Sequence, residues 1–202
     1  MTQGLVEVGV AQFTLPGEAE SGDCCVVKIS EQRAVIGVID GLGHGPEAAR
    51  AAQAAAGIIE AFDHEPVGAV MARCHEKLRG TRGAAITVVA FDAVRGQLDW
   101  LGAGNVAAVL LHPDVAGKSW REELFMRGGM AGVRLPSTAA SNVEIRGGDI
   151  VAIATDGVQL GFIDGVTHGL PPQRLAERLL ADYQTARDDA LVVVARVREE
   201  IR

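Results

Sequence analysis

Two aspartates stand at the ends of apolar segments, and a glycine follows each of them. Residues 35–39 lead directly into Asp40-Gly41, and residues 150–154 lead through Thr155 into Asp156-Gly157. An apolar run of this length bounded by glycine is typical of a strand buried on both faces, which places each carboxylate where a sheet opens onto a loop. A carboxylate there is a candidate metal ligand, although an Asp-Gly pair alone is also a common turn signal.

Other aspartates stand at the boundaries of further predicted strands. Asp23 precedes the segment 24–30, and the doublet Asp188-Asp189 precedes the segment 190–197. Carboxylates that converge at one end of two packed sheets form an oxygen-only site, which selects Mg²⁺ or Mn²⁺ over zinc or copper. The histidines and cysteines show no zinc-binding spacing. The pattern as a whole therefore favours an oxygen-liganded divalent metal site over isolated turns.

Composition sets the protein class. The chain has 202 residues, of which 48% are hydrophobic and 22% charged, and this predicts one globular domain over residues 1–202. A formal net charge of −7 argues against nucleic acid and against an anionic membrane as partners. The sequence has no apolar span of membrane length and no signal-peptide pattern at its start, so we expect a cytoplasmic protein.

Ten strand-like segments and three helices make up the predicted architecture. One helix begins at Pro46, a second covers Val67–Leu78 and a third runs from about Pro172 to Tyr183. The pattern predicts an α+β fold in which two antiparallel β-sheets pack face to face and helices cover their outer faces, a four-layer αββα sandwich. The predicted strands are 5–14, 24–30, 33–39, 84–91, 97–101, 107–112, 123–126, 142–146, 150–154 and 190–197.

Several of these motifs, taken in order, resemble those of one enzyme family. The sequence resembles the metal-dependent protein phosphatases of type 2C (the PPM family), and within that family the SpoIIE-like bacterial branch, over about Val8 to Val197. The short chain and the lack of the flap subdomain that larger members carry are further similarities to this branch. The matching motifs are Gly22-Asp23, Asp40-Gly41-Leu42-Gly43-His44-Gly45, Gly102-Ala103-Gly104-Asn105, Gly148-Asp149, Thr155-Asp156-Gly157 and Asp188-Asp189-Ala190.

The resemblance implies hydrolysis of phosphoserine or phosphothreonine in proteins. In-line attack by a water or hydroxide that bridges two Mn²⁺ or Mg²⁺ ions would need no protein nucleophile. Asp40 then corresponds to the aspartate that bridges both metals, and Gly41 to a glycine that offers its backbone carbonyl. Asp156 and Asp188 correspond to ligands of the second metal, and Asp23 to a residue that acts mainly through water.

Two positions leave alternatives open. Leu42 stands where larger members carry a histidine that acts as general acid, so His44 becomes a candidate proton donor, with a loop-packing or helix-start role as its alternative. The doublet Asp188-Asp189 allows either residue to be the ligand. Residues 80–83 lack the aspartate that binds a third metal in many bacterial members, which favours a two-metal site.

The resemblance also implies a class of partner. Phosphorylated stressosome proteins with STAS domains are the expected substrates, and another anti-sigma antagonist is the alternative. A catalytically inactive phosphatase-like module that only binds such proteins is a further alternative. Loss of a metal-binding aspartate would be its mark, whereas all four acidic positions are filled here. A nucleotide-binding loop at residues 41–45 is disfavoured, because Asp40 would repel a phosphate there.

Overall fold

Two five-stranded antiparallel sheets form the centre of the computed structural model, which describes residues 4–62, 65–113, 120–124, 128–135 and 138–198. The first sheet has the order β1-β10-β9-β6-β7 and the second the order β2-β3-β4-β5-β8. The elements are β1 (Val6–Phe13), β2 (Asp23–Ile29), β3 (Arg33–Gly41), α1 (Pro46–Glu60), α2 (Val67–Leu78), β4 (Ala84–Asp92), β5 (Gln97–Ala103), β6 (Ala107–Leu111), β7 (Arg121–Leu124), β8 (Ser141–Glu144), β9 (Ile150–Ala154), α3 (Phe162–Gly165), α4 (Pro172–Tyr183) and β10 (Ala190–Val197).

Helices cover the outer face of each sheet. α1 and α2 pack against the second sheet, and α4 packs against β1 and β10 of the first. Strand β3 shows why its sequence is a continuous apolar run: Ile36 and Val38 face the core between the sheets, while Val35 and Ile39 face the helices. The predicted four-layer αββα sandwich is confirmed.

Helix α1 packs closely on the sheet beneath it. Pro46 occupies the first turn, where its missing N–H costs nothing, and the alanines that follow are strong helix formers. The buried face of α1 carries Ala48, Ala51, Ala52 and Ala55, whose small side chains let the helix backbone approach β2 and β3. This contact fixes the loop between β3 and α1, which directly follows Asp40-Gly41 and contains His44.

The structure shifts several of the predicted strand boundaries and adds one helix. β3 ends at Gly41 rather than 39, β5 ends at Ala103 rather than 101, and β8 covers Ser141–Glu144 rather than 142–146. β7 covers Arg121–Leu124 rather than 123–126, and residues 125–127 lie outside the described part of the chain. The four-residue helix α3 was not predicted, because one turn is too short to show an apolar periodicity. Within the described residues, no helix has both the length and the apolar character needed to span a membrane.

Candidate metal centre

Asp23 and Asp40 face each other across two neighbouring strands. Asp23 begins β2, Asp40 lies near the end of β3, and the antiparallel register pairs them directly. The amide of Gly41 donates to the carbonyl of Gly22 at 3.0 Å, so the adjacent Asp23–Asp40 pair belongs to the class without mutual backbone hydrogen bonds. Their Cβ atoms are therefore about 4.5–5.5 Å apart, a spacing at which like charges destabilise a sheet.

Thr155 connects this pair to the other sheet. Thr155 directly follows β9. Its hydroxyl donates a hydrogen bond to Asp23 Oδ2 at 2.7 Å and accepts one from the amide of Leu191 in β10 at 2.9 Å. The next residue, Asp156, accepts a hydrogen bond of 2.6 Å from Asn105 Nδ2. The structure thus brings Asp23 and Asp40 from one sheet together with Asp156 from the other.

The two aspartates of the doublet 188–189 have different surroundings. Asp189 is buried, and its carboxylate accepts from the amide of Leu15 at 2.8 Å and from that of Gly22 at 2.7 Å. Asp188 is only partly buried, and its Oδ1 accepts from the amide of Asp189 at 2.9 Å. Asp189 therefore tethers the segments that precede β2, while Asp188 keeps a carboxylate oxygen free of hydrogen bonds within the described residues.

The carboxylates raise one another's pKa. Burial is the largest cause for both central residues, and the neighbouring aspartates add to it, so the pKa of Asp23 is raised to about 7 and that of Asp40 to about 8. Burial and Asp188 also raise the pKa of Asp156. Among the described residues, no Arg, Lys or His forms an ion pair with any aspartate of this cluster. The cluster is therefore an acidic site with no basic ion-pair partner among the described residues.

Gly41 offers a backbone oxygen beside these side chains. In a regular ladder the amide of Gly22 would return a hydrogen bond to the Gly41 carbonyl, but it donates to Asp189 instead. A Cβ on Gly41 would lie 2.2 Å from the carbonyl oxygen of Ala48 in α1, so only glycine fits. The close packing of α1 thus requires a glycine at the position where a backbone ligand is expected.

The donor set is composed of oxygen atoms only and suits a hard divalent cation. Among the described residues, no three acidic, histidine or cysteine side chains are close enough together to form a complete metal site by themselves. A cation bound here would therefore take the rest of its shell from the Gly41 carbonyl and from water, as Mg²⁺ in particular does. A positive ion would also offset the repulsion that, added to burial, raises the pKa of Asp23 and Asp40, so the residues present fit such an ion.

His44 lies on the loop after Gly41 and is paired with Glu18. Its side chain is 58% exposed, and its Nδ1 lies 2.5 Å from Glu18 Oε1. Because Glu18 occupies Nδ1, any proton transfer to a substrate would use Nε2. The structure leaves His44 as a candidate proton donor and gives it a second role in holding the loop to Glu18.

Two orienting residues, Thr155 and Asn105, had no predicted role. Both belong to the motifs on which the family resemblance rests, and both are polar residues close after a strand, which is the signal that could have identified them: Thr155 follows β9 directly, and Asn105 follows β5 after Gly104. Asp149, also part of a motif, lies at the opposite end of β9 from Asp156. It is bonded there to the Nδ1 of His112 at 3.0 Å and does not belong to the site.

The raised pKa values predict how pH affects the metal-free protein. Asp40 holds its proton up to about pH 8 when folded, whereas the unfolded chain releases it near the ordinary value of 3.8, so unfolding releases a proton between these limits. The contribution of this proton to the free energy of unfolding is at its maximum below about pH 4 and is lost as the pH rises to about 8. In chelator, the thermal midpoint of wild type minus that of Asp40→Asn should fall from pH 5.5 to pH 8 (both values approximate, chosen within this window). A difference that rises over this range would contradict the assigned surroundings of Asp40.

Comparison with known proteins identifies the family. The sequence profile of the family described as Stage II sporulation protein E (SpoIIE) matches residues 30–198, a span that includes Asp40, Gly41, His44, Asp156 and the doublet 188–189. The chain belongs to the SpoIIE family. This confirms the resemblance on which the site assignments are based, and the fold agrees with it.

Individual relatives of this SpoIIE-family chain support the same classification. It is 26% identical over 108 residues to the phosphoserine phosphatase RsbX of Bacillus subtilis (strain 168), a match that covers 54% of each protein and thus about half the length of this curated relative. It is 30% identical, with a TM-score of 0.84, to a chain from a structural study of the bacterial stressosome, covering 95% of this chain and 99% of that one. A crystal structure of RsbX in complex with magnesium has a TM-score of 0.83 at 22% identity, covering 98% and 100% of the two chains.

Proposed function

We propose that this chain is a metal-dependent phosphoserine/phosphothreonine protein phosphatase that acts on phosphorylated stressosome proteins with STAS domains in the cytoplasm. The observation that carries the proposal is the convergence of Asp23 and Asp40 from one sheet with Asp156 and Asp188 at the adjoining end of the other. SpoIIE-family membership supports the phosphatase activity. The similarity to RsbX and to a stressosome chain supports the class of substrate.

Two Mn²⁺ or Mg²⁺ ions are the proposed cofactors, and the magnesium in the similar RsbX structure supports this choice. When bound, such ions activate water at neutral pH and offset the charge of a phosphoryl group. Asp40 would hold both ions, the Gly41 carbonyl one of them, and Asp156 and Asp188 the second. Asp23 would act mainly through water, because Thr155 already engages its Oδ2.

The remaining residues orient these ligands. Asn105 fixes the Asp156 carboxylate, and Asp189 fixes the strand that carries Asp23 through the amide of Gly22. His44 is the candidate donor of a proton to the departing seryl or threonyl oxygen through its Nε2. Since the hydrolysis would need no protein nucleophile, the absence of a Ser-His-Asp set from the predicted site is consistent with this chemistry.

Phosphate release tests the proposal at two levels. A generic aryl phosphate should be hydrolysed in Mn²⁺ and not in chelator, which separates an enzyme from a phosphatase-like binding module. Phosphorylated stressosome scaffold proteins should then lose phosphate faster than an unrelated phosphorylated anti-sigma antagonist. Equal rates on the two proteins would reject the stressosome assignment, and hydrolysis that ignores chelator would reject the metal mechanism.

A further inference from the structure

A charged groove begins directly beside the Asp40 loop. It has a volume of about 530 Å³ and is lined by Glu47, Arg50, Ala51, Gly80, Thr81 and Arg82. Arg82 connects it to the loop that follows Asp40, because the Nη1 atom of Arg82 would lie 3.1 Å from a Cβ placed on Gly43. The amide of Leu42 also donates to the carbonyl of Gly83 at 3.1 Å, which ties the Arg82 loop to the Asp40 loop.

The groove is held in shape by local hydrogen bonds. The hydroxyl of Thr81 donates to the carbonyl of Leu78 at 2.6 Å and accepts from the amide of Gly83 at 3.0 Å. Gly80 adopts a φ of +83°, a conformation that glycine tolerates and that turns the chain out of α2. Arg82 is therefore presented from a defined loop and not from a freely moving segment.

A carboxylate of the chain itself lies between the two arginines of the groove. Glu47 Oε2 is 2.6 Å from the Arg82 guanidinium, and Glu47 Oε1 is 3.9 Å from that of Arg50. All three side chains are about half exposed or more, so this arrangement is open to exchange with a carboxylate from another molecule. Glu47 thus shows which chemical group the arginine pair accepts.

We infer that this groove binds an acidic segment of the phosphoprotein next to its phosphoserine or phosphothreonine, with Arg82 and Arg50 as specificity-determining residues that Glu47 occupies in the free protein. The inference rests on the proposed phosphatase function and adds a substrate preference to it. An overall charge of −7 and the cluster of aspartates would repel an acidic substrate, so such a preference needs local basic side chains. The groove places two of them beside the centre.

The inference predicts opposite effects for the two kinds of groove residue. Arg82→Gln and Arg50→Gln should each reduce the preference for an acidic flank by about two- to fivefold, the range expected for one exposed ion pair. Glu47→Gln should increase the preference, because it releases both arginines from their internal partner. All three effects should act on KM and shrink at high ionic strength, since exposed charges are screened.

The experiment uses two phosphoserine peptides that differ only in flanking Asp and Glu residues replaced by Asn and Gln. The readout is the ratio of kcat/KM for the acidic peptide to that for the neutral one. Arg146 and Glu144 form an exposed pair at 3.6 Å elsewhere on the surface, so Arg146→Gln and Glu144→Gln are matched controls that should leave the ratio unchanged. Binding of both peptides to the Asp40→Asn variant, followed by fluorescence anisotropy, gives the same ratio without turnover.

Two results would overturn the groove assignment. One is a kcat/KM that stays at the wild-type value on both peptides in both arginine variants. The other is an equal loss of kcat/KM on both peptides, which would mean that the arginines hold the phosphate itself. Failure of the proposed function would look different, because wild type would then not hydrolyse aryl phosphate in Mn²⁺. The anisotropy ratio would still decide whether the groove prefers acidic peptides.

Discussion

Replacing Asp40 by asparagine is expected to lower metal-dependent phosphate release by about a thousandfold or more, the scale of several kcal/mol of lost transition-state stabilisation. The same change should leave the metal-free protein at least as stable as wild type above neutral pH. Asparagine keeps the shape of the side chain but removes the carboxyl group. Burial and four neighbouring aspartates raise the pKa of that carboxyl to about 8, so its ionised form is unfavourable in the metal-free fold. Loss of activity together with unchanged or increased stability is the mark of a functional carboxylate.

Asp99→Asn is the matched control for this experiment. Asp99 lies in β5 of the same sheet and forms an exposed pair with Arg95 at 2.9 Å, away from the acidic cluster. Its replacement should change the rate by less than about twofold, because exposed ion pairs contribute little. Initial rates in Mn²⁺ and thermal midpoints in chelator at about pH 9 are the measurements, the pH being chosen above the raised pKa of Asp40. A loss of activity that only parallels a loss of stability would make Asp40 a structural residue.

Gly41→Ala is expected to destabilise the protein strongly. The added Cβ would lie 2.2 Å from the carbonyl oxygen of Ala48 and 2.7 Å from its carbonyl carbon, and no side-chain rotation can relieve a clash with helix backbone. The cost should be about 3 kcal/mol or more, the upper part of the range for overpacking. Activity should also fall, because α1 must move away from β3 and displace the Gly41 carbonyl.

Gly57→Ala provides a control of opposite sign in the same helix. A Cβ on Gly57 would have no neighbour within 4 Å, so this change should stabilise the protein by about 0.5–1 kcal/mol through helix propensity alone. Urea unfolding of the metal-free proteins measures both values. A Gly41→Ala variant as stable as wild type would show that α1 does not rest on β3 as closely as described.

Much of the fold could be predicted because it is encoded in local patterns. β3 and β9 are continuous apolar runs buried on both faces, and the stripe of α2 repeats at helical spacing, so each signal is carried by the element itself. The pairing of β8 with β5 and of β9 with β6 depends on contacts between segments that are distant in the sequence, which no single segment records. The helix α3 is too short to carry a periodic signal.

Part of the site could be predicted from local patterns, but the roles that depend on contacts between distant segments could not. Asp40 and Asp156 stand at the ends of buried strands, so the sequence alone places them where a sheet opens onto loops. The difference between Asp188 and Asp189 depends on the amides of Leu15 and Gly22, which come from the other end of the chain. The hydroxyl of Thr155 similarly acquires its role only where it meets Asp23 from the second sheet.

The most direct test of the central claim is a calorimetric titration of Mn²⁺ into metal-free wild type and Asp40→Asn. If the converging aspartates form a two-metal centre with Asp40 shared between the ions, wild type will bind two ions and the variant will lose measurable binding of at least one. Asp99→Asn should bind as wild type does. Equal Mn²⁺ binding by wild type and Asp40→Asn, in number of ions and in affinity, would contradict the claim.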